Sequence, residues 1–368
     1  MRKVILFILL FFMLTSCQSN ETIKIGVVGT MSGNKSELSV SGRRGIELAI
    51  SKINEQGGLL GKEIEIIVKD DLNDVNRAVE VVKEFVDEDI EIVIGPFTSS
   101  MMLAAYDSIH AKEILYFSPT VSTDTLNEKD DQFIRFIAPS REQAIILNDV
   151  AVKNNHKKFI VIADETNFGF NQMLFQNFKE ILEENNGQIL ELIEYTVLDS
   201  SMLDTMSAVI KNQDPDGVFV ISCASDFAMV AQILSSKKIE VSMYGPLWAH
   251  TNDILRLGGE DIEHAYLVSG ISYDNKNTDL NRVSLEYYDR YGEEMSFSAM
   301  YSYETMMALN SAIRKAHSSE WEKVKNALLD IKDYKGLQFQ FTLDKYGDVN
   351  RPYQIDEVIN GGFSTVED

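Results

Sequence analysis

The chain is expected to be an α/β protein built from two successive units, each a parallel sheet with helices on both faces. Three observations predict this. Short β-branched runs alternate with amphipathic helical stretches, the pattern of strands joined through crossover helices. The alternation pauses near Pro139 and restarts over a second stretch of similar length. Polar loops rich in Gly and hydroxyl residues follow the strands, as in "GTMSG", "GPFTSS" and "SPTVST".

The elements follow in order. "IKIGVVGTMSG" (23–33) is a strand and a Gly-rich turn, and Ile46, Ala49, Ile50 and Ile53 recur at helical spacing until "NEQGG" stops the helix. "KEIEIIVKDD" (62–71) is the second strand. Val75, Ala78, Val79, Val82, Phe85 and Val86 make an amphipathic helix with Asn73 or Asp74 as its cap. "IEIVIGP" (90–96) is the third strand and "EILYFSP" (113–119) the fourth, with a helix between them. After Pro139, strands are expected at 157–164, 188–197, 216–222 and 241–246, with helices between them. Helices are expected at about 279–291, 299–316 and 320–331. An antiparallel pair should then turn at Tyr346-Gly347-Asp348, because apolar and polar residues alternate through "LQFQFTLDKYGDVNRPYQIDEVI".

The 368 residues suffice for two domains with sizeable cores. A formal charge of −23 argues against nucleic acid, which needs clustered Lys and Arg. The amino terminus is distinct: "MRK", eleven apolar residues, then "TSC". That order is a secretory signal, too short to span a bilayer comfortably. Leu14-Thr15-Ser16-Cys17 resembles the lipobox of bacterial lipoproteins, which implies a signal peptide at 1–16, a lipid on Cys17 and a short tether over 17–22. Removal of Arg2 and Lys3 with the signal would take the charge to −25. Cys223 is the other cysteine, so no disulfide framework is expected.

No catalytic signature is present, and no enzyme activity, cofactor or metal is expected. "GTMSG" places its Ser one position late for a nucleophile elbow. The five histidines are scattered, without a metal-ligand spacing. Asp70-Asp71 at a strand end reads as a cap or solvated edge, and Cys223 as a small buried thiol.

Eight segments carry a resemblance in order along nearly all of the chain. They are "IKIGVVGTMSG", "GIELAISKINEQGGLLGKEIEIIVKDD", "IVIGPFTSS", "ILYFSPTVSTDTL", "FIRFIAPS", "DETNFGFNQMLFQNFKEILEENNG", "DPDGVFVISCASDFAMVAQIL" and "FTLDKYGD". Together they resemble the substrate-binding lipoproteins of ABC transporters, in particular the leucine/isoleucine/valine-binding, or receptor-ligand-binding, family. The resemblance implies two Rossmann-like lobes joined by three crossovers around a cleft. Lobe one would be 22–138 plus 272–335, and lobe two 139–271 plus 336–368. The expected function is capture of a small polar solute, an amino acid or related amide or carboxylate, by cleft closure outside the cytoplasm. Its partners would be an ABC permease and, through the lipid, a bacterial membrane. The alternative is a bilobed envelope regulator that binds another protein, which a cleft plugged by Phe168, Leu247 and Trp248 would favour.

The resemblance also implies a site. Ser99 or Ser100 would grip a ligand carboxylate at the start of a helix, where free N–H groups favour an anion. Val121 would supply a carbonyl, and Ser122 or Thr123 a hydroxyl. Phe168 stands where relatives carry a Tyr, Cys223 where they carry an aromatic, and Leu247 where many carry the acid that receives an ammonium. Either Asp226, Asp164 or Glu165 takes that acid's place, or the ligand lacks an ammonium. Trp248 would wall an apolar ligand or belong to the core.

Overall fold

Parallel strands buried on both faces need near-continuous apolar runs; residues 92–94, 159–163 and 218–221 have them, whereas 64–70 and 188–195 carry Glu among their apolar residues and are mostly half-buried. The structure is a computed structural model that describes residues 22–33, 35–112, 114–272 and 278–366. The expected signal peptide at 1–16 and Cys17 lie outside the described residues.

The first sheet contains β1 (Ile23–Gly29), β2 (Ile64–Asp70), β3 (Ile92–Ile94), β4 (Leu115–Ser118) and β5 (Phe133–Arg135), in the order β2-β1-β3-β4-β5, all parallel. Ile25, Val27, Ile94 and Phe117 face one core, and Val28, Val93 and Tyr116 face another on the opposite side. Helices α1 (Glu37–Glu55), α2 (Val75–Asp87) and α3 (Ser99–Lys112) connect its strands. Asp74 caps α2 by accepting the Asn76 and Arg77 amides, at 2.8 and 3.0 Å. Asp70 and Asp71 brace the loop after β1: Asp70 accepts the Met31 amide at 2.9 Å, and Asp71 accepts the Thr30 hydroxyl at 2.8 Å.

The second sheet follows α4 (Ser140–Lys153). It comprises β6 (Lys158–Asp164), β7 (Gln188–Tyr195), β8 (Gly217–Ile221), β9 (Ser242–Gly245), β10 (Tyr266–Ser269), β13 (Gln354–Ile359) and β14 (Gly362–Thr365). Its order is β14-β13-β10-β9-β8-β6-β7, parallel except for β13, which pairs antiparallel with both β10 and β14. Phe159, Val161, Phe219 and Ile221 point to one core, and Ile160, Ile162, Val218 and Val220 to the other. Helices α5 (Phe168–Glu184), α6 (Ser200–Gln213), α7 (Ala224–Ser236) and α8 (Asn252–Gly258) belong to this half.

The chain then returns to the first half through α9 (Thr278–Tyr291), α10 (Phe297–Ala316) and α11 (Trp321–Leu329). It passes between the sheets three times: after β5, after β10 and before β13. A two-stranded ribbon, β11 (Tyr334–Lys335) with β12 (Gln340–Phe341), precedes the last passage. Residues 340–348 lie against the first sheet, where Phe341 meets Phe136 edge to face, and Arg135 bonds the Gly347 carbonyl and Asp348.

The expected hairpin at Tyr346-Gly347-Asp348 is reduced to a single bridge between Leu343 and Val349. The strand 354–359 pairs instead with β10 and with β14, across Asn360-Gly361. Both turn residues have positive φ, 53° and 71°, as a two-residue hairpin turn requires. Pro352 offers no N–H and separates Val349 from β13.

A candidate ligand-binding cleft

Two loops at the carboxyl ends of β3 and β4 form the first wall. Gly95 has φ +117°, and a Cβ there would sit 1.9 Å from the Val28 carbonyl, so only glycine allows this exit from the strand. The chain then passes Pro96 and Phe97 and enters α3 at Ser99. The neighbouring loop is stitched to it: Ser118 donates to the Pro96 carbonyl at 2.8 Å and Thr120 to the Phe97 carbonyl at 2.6 Å. Ser99, Thr120 and Ser122 thereby stand together beside Phe97.

The opposite wall comes from the second sheet. Asn167 and Phe170 sit at the head of α5, and Leu247 and Trp248 lie in a short helical turn after β9. Gln143 of α4 fixes that turn by accepting the Leu247 amide at 3.0 Å. Trp248 meets Phe170 edge to face, with ring centres 6.2 Å apart. Leu38, Phe297 and Ile137 complete the lining of a narrow cavity of about 20 Å³, room for about one water molecule. This is the crevice beyond the carboxyl ends of strands where open α/β sheets bind ligands.

The two walls are bonded to each other. The Ser100 hydroxyl accepts the Gly169 amide at 2.9 Å, and the Ser100 amide donates to Asn167 Oδ1 at 3.2 Å. A Cβ on Gly169 would lie 2.6 Å from Leu103, so glycine permits this approach. Farther out, Lys35 reaches Asp164 at 2.5 Å and the Thr166 hydroxyl at 2.8 Å, with Asp226 at 3.9 Å. Asp226 also accepts the Tyr195 hydroxyl at 2.8 Å, and burial together with these acids pushes the Tyr195 phenol upward. Burial raises Glu37, beside Leu38, to about 8. Burial raises the Cys223 thiol to about 12.

Of the residues expected at the site, Ser99, Ser122, Leu247 and Trp248 line the cavity. Ser100 joins the lobes rather than lining it. The Val121 side chain is fully buried in the core beneath the sheet. Thr123 caps a short helical turn, and its carbonyl accepts Arg135 Nη1 at 2.9 Å. Phe168 is 47% exposed, two residues before the Phe170 that faces inward. Cys223 contacts Ser225, and Asp226 faces Lys35 and Tyr195. The cavity is therefore not plugged by Phe168. Phe97, Thr120, Ile137, Gln143, Asn167, Phe170 and Phe297 are lining residues absent from the expected set. Asn167 and Phe170 flank the predicted Phe168-Gly169, while no local signal marks Phe297. Among the described residues, no group of His, Cys, Asp and Glu is suited to a metal ion.

A cavity between the carboxyl ends of two parallel sheets, closed by bonds from one half to the other, defines a two-lobed solute-binding protein. The chain belongs to the periplasmic binding protein family, whose model matches residues 22–362. Members of this family are substrate-binding proteins of transporters, not enzymes, and they act outside the cytoplasm. The Leu/Ile/Val-binding protein homolog 2 of Brucella abortus is 22% identical over 339 residues, spanning 91% of this chain and 90% of its own. Among solved structures, the leucine-binding protein LivK of Thermotoga maritima superposes with a TM-score of 0.85 at 19% identity, covering 94% of this chain and 98% of its own. A solute-binding protein of an ABC transporter from R. palustris, in complex with benzoate, gives 0.86 at 16% identity, covering 94% and 96%. At such identities these two likenesses concern the fold.

Proposed function

We propose that this protein is a lipid-anchored, extracytoplasmic receptor that closes over a small solute and delivers it to an ABC permease. The observation that carries the reading is the cavity itself. It has hydroxyls of Ser99, Thr120 and Ser122 on one side, an apolar wall of Phe170, Leu247 and Trp248 on the other, and interlobe bonds at its edge. Such an arrangement suits a ligand with one polar end and an apolar body. Relatives named for leucine, isoleucine and valine, and one holding benzoate, are compatible with it. Lipidation at Cys17 would keep the receptor beside its permease.

A thermal-shift panel of amino acids, amides, carboxylates and nucleosides tests binding. A saturable rise of roughly 5 °C at a hundredfold excess over Kd is expected, since such an excess contributes about 2.7 kcal/mol. No shift with any compound would contradict the reading. Replacing Cys17→Ala should abolish palmitate labelling and release the protein from membranes.

A further inference from the structure

We propose that a second, outer pocket between the lobes binds a protonated primary amine or guanidinium group of the solute, with Asp226 as its counter-ion. This rests on the solute-binding reading and specifies the chemistry of the ligand.

The outer pocket offers about 480 Å³, a volume in the range of small-molecule sites, whereas the cavity beside Phe97 holds about one water. The two spaces adjoin at the turn before α5, where Asn167 lines the inner one and Thr166 the outer. The loops after β1 and β2 form the first-lobe wall, with Lys35 and Leu72. The opening turns of α7 and the segment after β7 form the other wall, with Asp226 and Val197. Among the described residues, Lys35 is the only base in the lining and Asp226 the only acid. Lys35 is already committed: it bonds Asp164 at 2.5 Å and the Thr166 hydroxyl at 2.8 Å, while Asp226 stays beyond hydrogen-bond reach at 3.9 Å. Asp164 and Asp226 are 0% and 4% exposed, so two buried carboxylates share one ammonium. The Tyr195 phenol donates to Asp226 Oδ2, and the Ser225 hydroxyl lies 3.4 Å from Oδ1, but neither group carries a positive charge. A buried charge without a counter-ion is strongly disfavoured. A cation entering the pocket would complete a set of two anions and two cations.

The rest of the lining selects the kind of cation. The Thr30 and Ser32 hydroxyls donate to Asp71 and Asp70, at 2.8 and 2.7 Å, which leaves their oxygens free to accept N–H groups. Behind Thr30 and Asn73, Asp71 is 1% exposed; its Oδ1 accepts the Thr30 hydroxyl and the Asn73 amide, and its Oδ2 has no hydrogen-bond partner within the protein. An unsatisfied acceptor thus stands behind the first-lobe wall as well. No aromatic ring lines the pocket among the described residues, so the cage that holds a quaternary ammonium is missing. Leu72, Val197 and Met229 are exposed at the rim and offer hydrocarbon to the carbon chain of an amine. This acid is not the one the family resemblance places at Leu247, which lines the inner cavity.

The test uses agmatine and pentylamine as probes, with 1-pentanol as the uncharged match and choline as a cation without N–H groups. Purified full-length protein in detergent, dialysed free of carried ligand, is titrated calorimetrically with each. Agmatine and pentylamine should bind saturably, and 1-pentanol and choline roughly 10- to 100-fold more weakly, the range expected for one charged hydrogen bond left unmade. Asp226→Asn, checked for folding by its thermal melt, should weaken amine binding by a similar factor. Thr196→Lys brings an ammonium into the same pocket from its exposed edge and leaves the buried acids in place. It should weaken amine binding as well. Equal binding of choline or 1-pentanol, or amine binding that survives both substitutions, overturns the inference and leaves the solute-binding reading standing. So does binding confined to compounds of the wider panel that carry no cation. Absence of binding across these probes and the wider panel overturns both.

Discussion

The Ser100 hydroxyl of one lobe accepts the Gly169 amide of the other at 2.9 Å. The bond exists only when the lobes are together, so it belongs to the closed state and not to the stability of either lobe. Ser100→Ala should therefore weaken ligand binding about fivefold, equivalent to ~1 kcal/mol for one neutral hydrogen bond. The unliganded melting temperature should stay unchanged. Calorimetric titration beside a thermal melt separates the two, and a lowered melt with intact affinity would contradict the assignment.

Lys35 makes the same kind of link with charge. Removing it as Lys35→Met leaves Asp164 buried without its cation in the closed form. Breaking a buried pair costs roughly 3–5 kcal/mol, less here because Lys35 retains contact with water. A 10- to 100-fold loss of affinity is expected, with little change when salt is raised to 0.5 M, since a partly buried pair is weakly screened. Titration at two salt concentrations checks this.

Closure should also depend on pH through Glu37. Burial holds its pKa near 8, reinforced by Asp253 and Glu293 and opposed by Thr251 and Arg256. A carboxyl raised from 4.5 favours the closed protein fully below pH 4.5, and that contribution is lost as pH rises through about 8. Ligand affinity should thus decline from pH 5 to pH 8.5. Glu37→Gln should flatten the profile, and an unchanged slope in that variant would remove Glu37 as the cause.

Cys223 should be inert in the folded protein. Its thiol is 7% exposed and raised to about 12, so almost no thiolate exists at neutral pH. Maleimide at pH 7 should label it only in denaturant, as read by intact mass. Rapid labelling of the native protein would show the thiol to be accessible.

The two sheets were legible because parallel strands require apolar runs; Ser99, Ser122, Leu247 and Trp248, expected from the family resemblance, line the cavity. Finer assignments failed on helical phase. Ser100 follows Ser99 by about a third of a turn and faces the other lobe; Phe170, two residues past Phe168, faces inward while Phe168 is exposed. Phe297 and Lys35 reach the cleft through tertiary packing that no local pattern encodes. Lys35 and Asp164 are 129 residues apart in sequence. The misplaced hairpin had a local signal: Asn360-Gly361 is the stronger turn pair, and the alternation before Pro352 was followed past it.

Closure on a ligand is the central claim, and a pulsed spin-label distance measurement across the cleft tests it most directly. Labels at Val75→Cys and Val197→Cys, 48% and 69% exposed on opposite lobes, would not compete with buried Cys223. With a bound compound from the panel, the distance distribution should shorten and narrow to one population. An identical distribution with and without every compound tested would contradict the account.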